Sequence, residues 1–298
     1  MVEITDKINS KIRTITNRIP ISDRFLVTGG PILLLEILLF LGPILIMFYI
    51  AVIQMENLQL VHEFSIQNYI EVFRGAANRE AIKNTVFISM LTTFTAAVVA
   101  YPFAYYIARH GGRFKNQLLV LVMIPFWTNY IVRVYGWQII LGTEGIFNSL
   151  FIWLNVINEP IGWLLNTNFS IWLGLTYLWL PFMILPLYAS LEKIDETLIE
   201  AAYDLGATRR HVFKRVILPL SIPGLVGGTI FVFIFSMGAY IVPAMIGGGQ
   251  LFVGTRIAHE FGIGGDWAQG AALGSVLMLV VAGTLWSLMG YTNMEEMF

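Results

Sequence analysis

Asp195, Glu196, Glu200 and Asp204 place four carboxylates within ten residues of one another. Carboxylates this close could hold a metal ion or share a proton as an acid–base pair. Such a site needs further ligands or a base, and the chain offers few. Its four histidines, His62, His110, His211 and His259, are scattered, and none is mid-span. It has no cysteine, so no thiol nucleophile, thiolate metal site or disulfide can form. Gly274-Ser275 lies in an apolar run with no histidine to serve as base, and no Gly-x-Ser-x-Gly elbow occurs. Neither a Gly-x-x-x-x-Gly-Lys-Ser/Thr loop nor a His-Glu-x-x-His pair is present. The carboxylates therefore read as a solvated or partner-facing helix side, and no catalytic residue, cofactor or metal is expected.

What remains is chemistry of recognition. The run from Glu200-Ala201-Ala202 through Asp204-Leu205-Gly206 to Arg209-Arg210, Lys214-Arg215 and Pro219 is polar and lies between apolar stretches. Leu198, Ala201, Ala202 and Leu205 recur at helical spacing. Gly206 suits a left-handed helix cap, and Pro219 and Pro223 punctuate the approach to the next apolar run. The expectation is a short helix pair, 195–217, with a glycine break and a basic second half. Two adjacent alanines let another protein approach closely, and Glu200 gives it a charge to grip.

The elements that must position this stretch are membrane spans. Of 298 residues, 57% are hydrophobic and 12% charged, against about 25% charged in soluble domains. Six apolar runs are long enough to cross a bilayer, at about 31–53, 81–108, 117–140, 169–190, 222–245 and 268–291, giving an all-α polytopic membrane protein. The first run lacks a small-residue cleavage pattern, so it is read as a retained span. Pro102, and Pro181 with Pro186, are expected to kink the second and fourth spans. Small residues from Thr92 to Ala100 and at Gly224, Gly227 and Gly228 allow close helix approach. The fifth span is read as interrupted from Ser236 to Ala244, and Gly145 as opening a short interfacial helix.

Charge sets the orientation. Of 18 Lys and Arg, 13 lie in the first 30 residues, at 109–115 or at 191–217. These are alternate connections, which the positive-inside rule assigns to the cytoplasm with both termini. In residues 1–30, Ile4, Ile8, Ile12, Ile15 and Ile19 form one helical stripe beside five cations. That helix would lie on membrane lipid or pack on a partner. Two charges break the apolar pattern. Glu36 in the first span is either interfacial or a buried functional acid. Arg133 lies among Trp127, Tyr130, Tyr135 and Trp137, where it either snorkels within an aromatic belt or serves a pathway.

The sequence Glu200-Ala201-Ala202-x-Asp204-Leu205-Gly206-Ala207, with Leu218-Pro219 following, resembles the Glu-Ala-Ala motif of ABC-importer permeases. The stretch from Met123 to Trp137 resembles the third span of the spermidine/putrescine (polyamine) permeases. Phe64 to Tyr69 is similar to the extracellular segment before their second span, and Gly238 to Met245 to their Gly-x-aromatic fifth-span end. The resemblance implies a coupling helix carrying Glu200, Ala201, Ala202, Asp204, Gly206 and Pro219, seated in a groove of an ATP-hydrolysing subunit. It implies a pathway touching Trp127, Asn129, Arg133, Tyr135 and Tyr240. The partners implied are a second permease subunit, two ATP-binding subunits and an extracytoplasmic substrate-binding protein; no nucleic acid is expected. The third to sixth spans hold no acid to meet a polycation. Phosphonates, quaternary amines and iron complexes therefore stay open as cargo, and a stand-alone secondary transporter and a membrane enzyme stay as rival classes.

Overall fold

The structure, a computed structural model, describes residues 29–56 and 59–289. The isoleucine-striped segment read from residues 1–30 lies, but for its last two residues, outside them. In chain order come α1 (Gly30–Ala51), β1 (Ile53–Glu56), β2 (Gln59–Phe64), α2 (Gln67–Arg74) and α3 (Ala76–His110). Then follow α4 (Lys115–Met123), α5 (Tyr130–Leu141), α6 (Ile146–Trp153) and α7 (Asn168–Glu192). The remainder is α8 (Glu196–Asp204), α9 (Arg209–Val212), α10 (Leu218–Met237), α11 (Ile241–Ile246), α12 (Val253–Phe261) and α13 (Trp267–Met289). Among the described residues, five helices are long and apolar enough to span a membrane, and a bent helix pair gives a sixth if the two halves are counted as one span.

The centre is the trio α3, α7 and α10. Small residues make their close packing possible. Ala96, Ala100 and Ala104 of α3 are fully buried against Met183, Leu187 and Leu191 of α7 and Val232 of α10. A Cβ at Gly228 would stand 2.6 Å from the Met183 sulfur and 3.1 Å from its backbone, so only glycine lets α10 lie this near α7. Without water to drive burial in the bilayer, such van der Waals contact is what joins spans. The Tyr101 and Ser221 hydroxyls, 2.8 Å apart, add a polar pin between α3 and α10. A second cluster at the other end joins Ile88, Ile171, Leu175 and Leu178 to Val134 of α5, Val242 and Ile246 of α11, and Phe252. Outside the trio, α1 lies against α13, whose Ala271, Ala272 and Leu273 are buried with Ala51 and Val72. The outer face of α1 is bare, with Leu34 68% and Phe40 73% exposed, an apolar surface suited to lipid. Glu36 is exposed on the same helix.

Several boundaries differ from the sequence reading. The third span is not one helix over 117–140. A 3-10 turn over Ile124–Trp127 follows α4, the chain is extended at Thr128 and Asn129, and α5 leaves bent by 88° within a helix pair that runs from 112 to 153. Pro125 lacks the N–H a continuing helix needs, and the Asn129 side chain accepts from the Ile131 N–H at 2.8 Å, starting a new one. The second span begins five residues early, because polar Asn78, Arg79 and Glu80 extend the helix outside the apolar run. Helix α7 is unbroken through Pro181 and Pro186, and α3 through Pro102. The fifth span, placed at 222–245, is helical from 209 to 237. A π-helical turn at Phe213–Ile217 carries α9 into α10, so the basic half of the predicted helix pair is the foot of the span, and Pro219 and Pro223 do not punctuate it. Pro219 follows the π-helical turn directly, where the regular helical hydrogen-bond ladder is already interrupted. The hairpin β1–β2, with Ile53 opposite Phe64, was not read at all; its residues lack clean alternation.

Candidate functional site

Two places on this frame gather the residues that the sequence singled out. The first is α8 and the turn after it. The Asp195 carboxylate accepts from the Thr197 backbone N–H at 3.0 Å and caps the helix start. That bond holds its carboxyl below the usual value. At the far end, Gly206 has φ +81°, the left-handed conformation that favours glycine. The Gly206 N–H donates to the Tyr203 carbonyl at 2.8 Å and the Ala207 N–H to the Ala202 carbonyl at 3.0 Å, a Schellman closure of α8. Both ends are thus fixed by local bonds, as a short helix outside a bundle requires.

The faces of α8 divide unexpectedly. Leu198, Ala201 and Leu205, part of the apolar repeat in the sequence, point outward, Leu205 at 89% exposure. Ile199, Ala202 and Ala207 instead pack on the α3–α7–α10 cluster beside buried Ile194 and Val212. Glu200, Asp204 and Gly206 are exposed with the outward set. The result is an exposed strip of apolar and acidic side chains on a helix whose inner face is anchored in the core. The Arg109 guanidinium donates to the Ile194 carbonyl at 2.8 Å, tying the end of α3 to the base of α8, and Lys115 pairs with Glu192 at 2.7 Å, tying the start of α4 to the end of α7. A cleft of about 440 Å³ lies between this helix and the foot of α10, lined by Leu205, Gly206, His211 and Arg215. Pro219 lies beyond it.

The second place is the bend between α4 and α5. Trp127 ends the 3-10 turn at 77% exposure, Asn129 caps α5, and Tyr135 is 54% exposed one turn on. Arg133 folds back across the break, its guanidinium carbon 4.8 Å from the Phe126 ring centroid and 5.8 Å from that of Tyr130. Both distances are in cation–π range. Its Nε is buried without a hydrogen-bond partner, and Arg133 belongs to none of the ion pairs among the described residues. The aromatic surface continues beyond it. Tyr130 stacks on Trp179 at 5.9 Å, Phe126 meets Phe182 edge-on at 4.9 Å, and Phe235 contacts both Trp179 and Phe182. Phe231 extends the set toward a cleft of about 580 Å³ between α7 and α10 that ends at Lys193, Asp195 and Leu198.

The sequence reading missed Phe126, Trp179, Phe182, Phe231 and Phe235. Their signal was spacing: Trp179 and Phe182 are three apart and Phe231 and Phe235 four apart, one face on each of two spans. Tyr240 belongs elsewhere. It opens α11 after the break at Gly238 and lines a different cleft, of about 540 Å³, with Arg256 and His259. There Arg256 pairs with buried Glu260 at 2.6 Å and donates to Asn78 at 3.2 Å. Helices α5 and α11 pack together, so the two breaks adjoin although their side chains face different openings.

A family described as binding-protein-dependent transport system inner membrane component matches residues 100–291. The chain is 39% identical to the spermidine/putrescine transport system permease protein PotB of Haemophilus influenzae over 219 residues, 73% of this chain and 76% of that one. It is 37% identical to the protein of the same name from Escherichia coli K12, over 73% of this chain and 79% of that one. Among solved structures, a bacterial alginate ABC transporter in complex with alginate pentasaccharide-bound periplasmic protein shares the fold. Its TM-score is 0.68 at 16% identity, over 89% of this chain and 93% of that one.

Proposed function

The chain belongs to the family of inner membrane components of binding-protein-dependent transport systems, and from that premise we propose how it works and what it carries. It is a permease subunit of an ATP-binding-cassette importer in a bacterial or archaeal plasma membrane, with both termini cytoplasmic. It pairs with a second permease, two ATP-hydrolysing subunits and an extracytoplasmic binding protein.

The observation that carries the proposal is the two-faced α8. Its outer strip of Leu198, Glu200, Ala201 and Leu205 is free to seat in an ATPase groove. Its inner Ile199 and Ala202 share one packed cluster with α3, α7 and α10. Closely packed interiors transmit displacement and do not absorb it. A push on α8 by the closing ATPase pair therefore shifts the central trio as a unit and switches access to the path.

The cargo is a polyamine. The relatives' names give the solute class, and the aromatic surface from Phe126 through Trp179 and Phe182 to Phe231 offers ring faces to an ammonium. Helices α4, α5, α10 and α13 carry no acid, and the one in α7, Glu192, is paired with Lys115. The second permease or the binding protein supplies the carboxylates. The test is uptake by proteoliposomes holding the complex purified through a tag on this chain, with spermidine, putrescine, choline and 2-aminoethylphosphonate offered with the binding protein. Spermidine-stimulated ATP hydrolysis with uptake is expected. Stimulation only by another solute replaces the cargo, and uptake that needs no ATP overturns the importer reading.

A further inference from the structure

The Phe126–Tyr130 pair has the geometry of a seat for a cation, and Arg133 of the same chain is sitting in it. The guanidinium carbon is 4.8 Å and 5.8 Å from the two ring centroids. Among the described residues Arg133 has no carboxylate partner, and its buried Nε meets no acceptor. A charge at membrane depth is normally paired or wetted; here the rings are its identified favourable contacts. The seat also straddles a joint. Phe126 lies before the break at Thr128–Asn129 and rests on Phe182 of α7, whereas Arg133 rides on α5 beyond it.

We propose that Arg133 is a tethered stand-in for the substrate's ammonium. It occupies the first aromatic seat while the path is closed, and yields it when α5 moves against α7. The inference rests on the reading of the cargo as a cation. It goes further in making Arg133 a competitor of the substrate, where a pathway ligand would help to bind it. A guanidinium and an ammonium cannot share one ring face, so removing the arginine empties the seat. Apparent affinity for the cation then rises, and the rise depends on the ring.

The experiment is equilibrium binding of radiolabelled spermidine to the purified complex without its binding protein. For Arg133→Met we expect Kd to fall roughly fivefold, about the factor one cation–π contact is worth. Arg133→Lys, which keeps the cation, stays near wild type. Adding Phe126→Leu to Arg133→Met cancels the gain. If Arg133→Met does not assemble, Arg133→Gln carries the same prediction. A Kd unchanged or raised by loss of the arginine overturns the proposal, as does a gain that survives without the Phe126 ring. Wild-type uptake of spermidine is measured in parallel. If the intact complex transports no cation, the cargo reading and this inference fall together. If it transports spermidine and the Kd shifts have the wrong sign, only the inference falls.

Discussion

At the scale of single residues, Gly206 and Asp195 decide whether α8 keeps its form. Gly206 at φ +81° has open space around its Cβ position, so the cost of a side chain there is backbone strain alone. Gly206→Ala should cost about 1–2 kcal/mol in the left-handed conformation. Amide exchange across residues 196–207 should accelerate while the spans stay protected. Gly206→Pro removes the N–H that bonds to Tyr203 as well, and should abolish ATPase assembly or transport without loss of expression. Glu200→Lys reverses the exposed charge and should do the same; unchanged transport in either would count against the coupling role. The Asp195 cap adds a pH term. Its folded-state value is lowered by the Thr197 N–H, so the stabilisation is complete above the ordinary carboxylate value of 3.8 and is lost as pH falls below it. Exchange at α8 should therefore show no Asp195-dependent change between pH 5 and pH 8 and should loosen only below about 3.8. Asp195→Asn, which still caps, should remove that transition.

At the scale of elements, the two broken spans and the α7–α10 contact set the frame on which the proposed function rests. Helix α5 begins at the Asn129 cap, after the turn that holds Pro125. Asn129→Ala should destabilise that start by about 1 kcal/mol, seen as faster exchange over 130–134 with α7 unaffected. Gly228→Leu would drive a side chain into Met183, and the complex should lose thermal stability by several degrees or fail to assemble. This is also where sequence and structure part. Long apolar runs were legible because a bilayer demands them. The break at 128–129 lay inside such a run, and the aromatic residues around it were open to two readings, an interfacial belt and a pathway. Hydropathy cannot distinguish a straight span from a bent pair of equal composition. The glycine cap at 206 was legible because it depends on one residue type. The inward face of α8 was not, since Ile199 and Ala202 are chosen by the core they meet, and Leu198 and Leu205 present the same apolar signal outward.

At the scale of the molecule, the proposed importer assigns neighbours to two surfaces of the chain. The strip on α8 and the bare flank of α1 are apolar surfaces with different expected neighbours, a protein groove and lipid. The central claim is that α8 is the contact through which a separate ATPase drives this subunit. Because the chain has no cysteine, a single introduced thiol reports on one position. The most direct measurement is maleimide labelling and cross-linking of Ala201→Cys in the purified complex. The account predicts that the thiol is shielded when the ATPase subunits are bound, is freed when they are stripped away, and cross-links to them. A thiol that reacts equally with and without the ATPase subunits, while they remain bound and active, would contradict it.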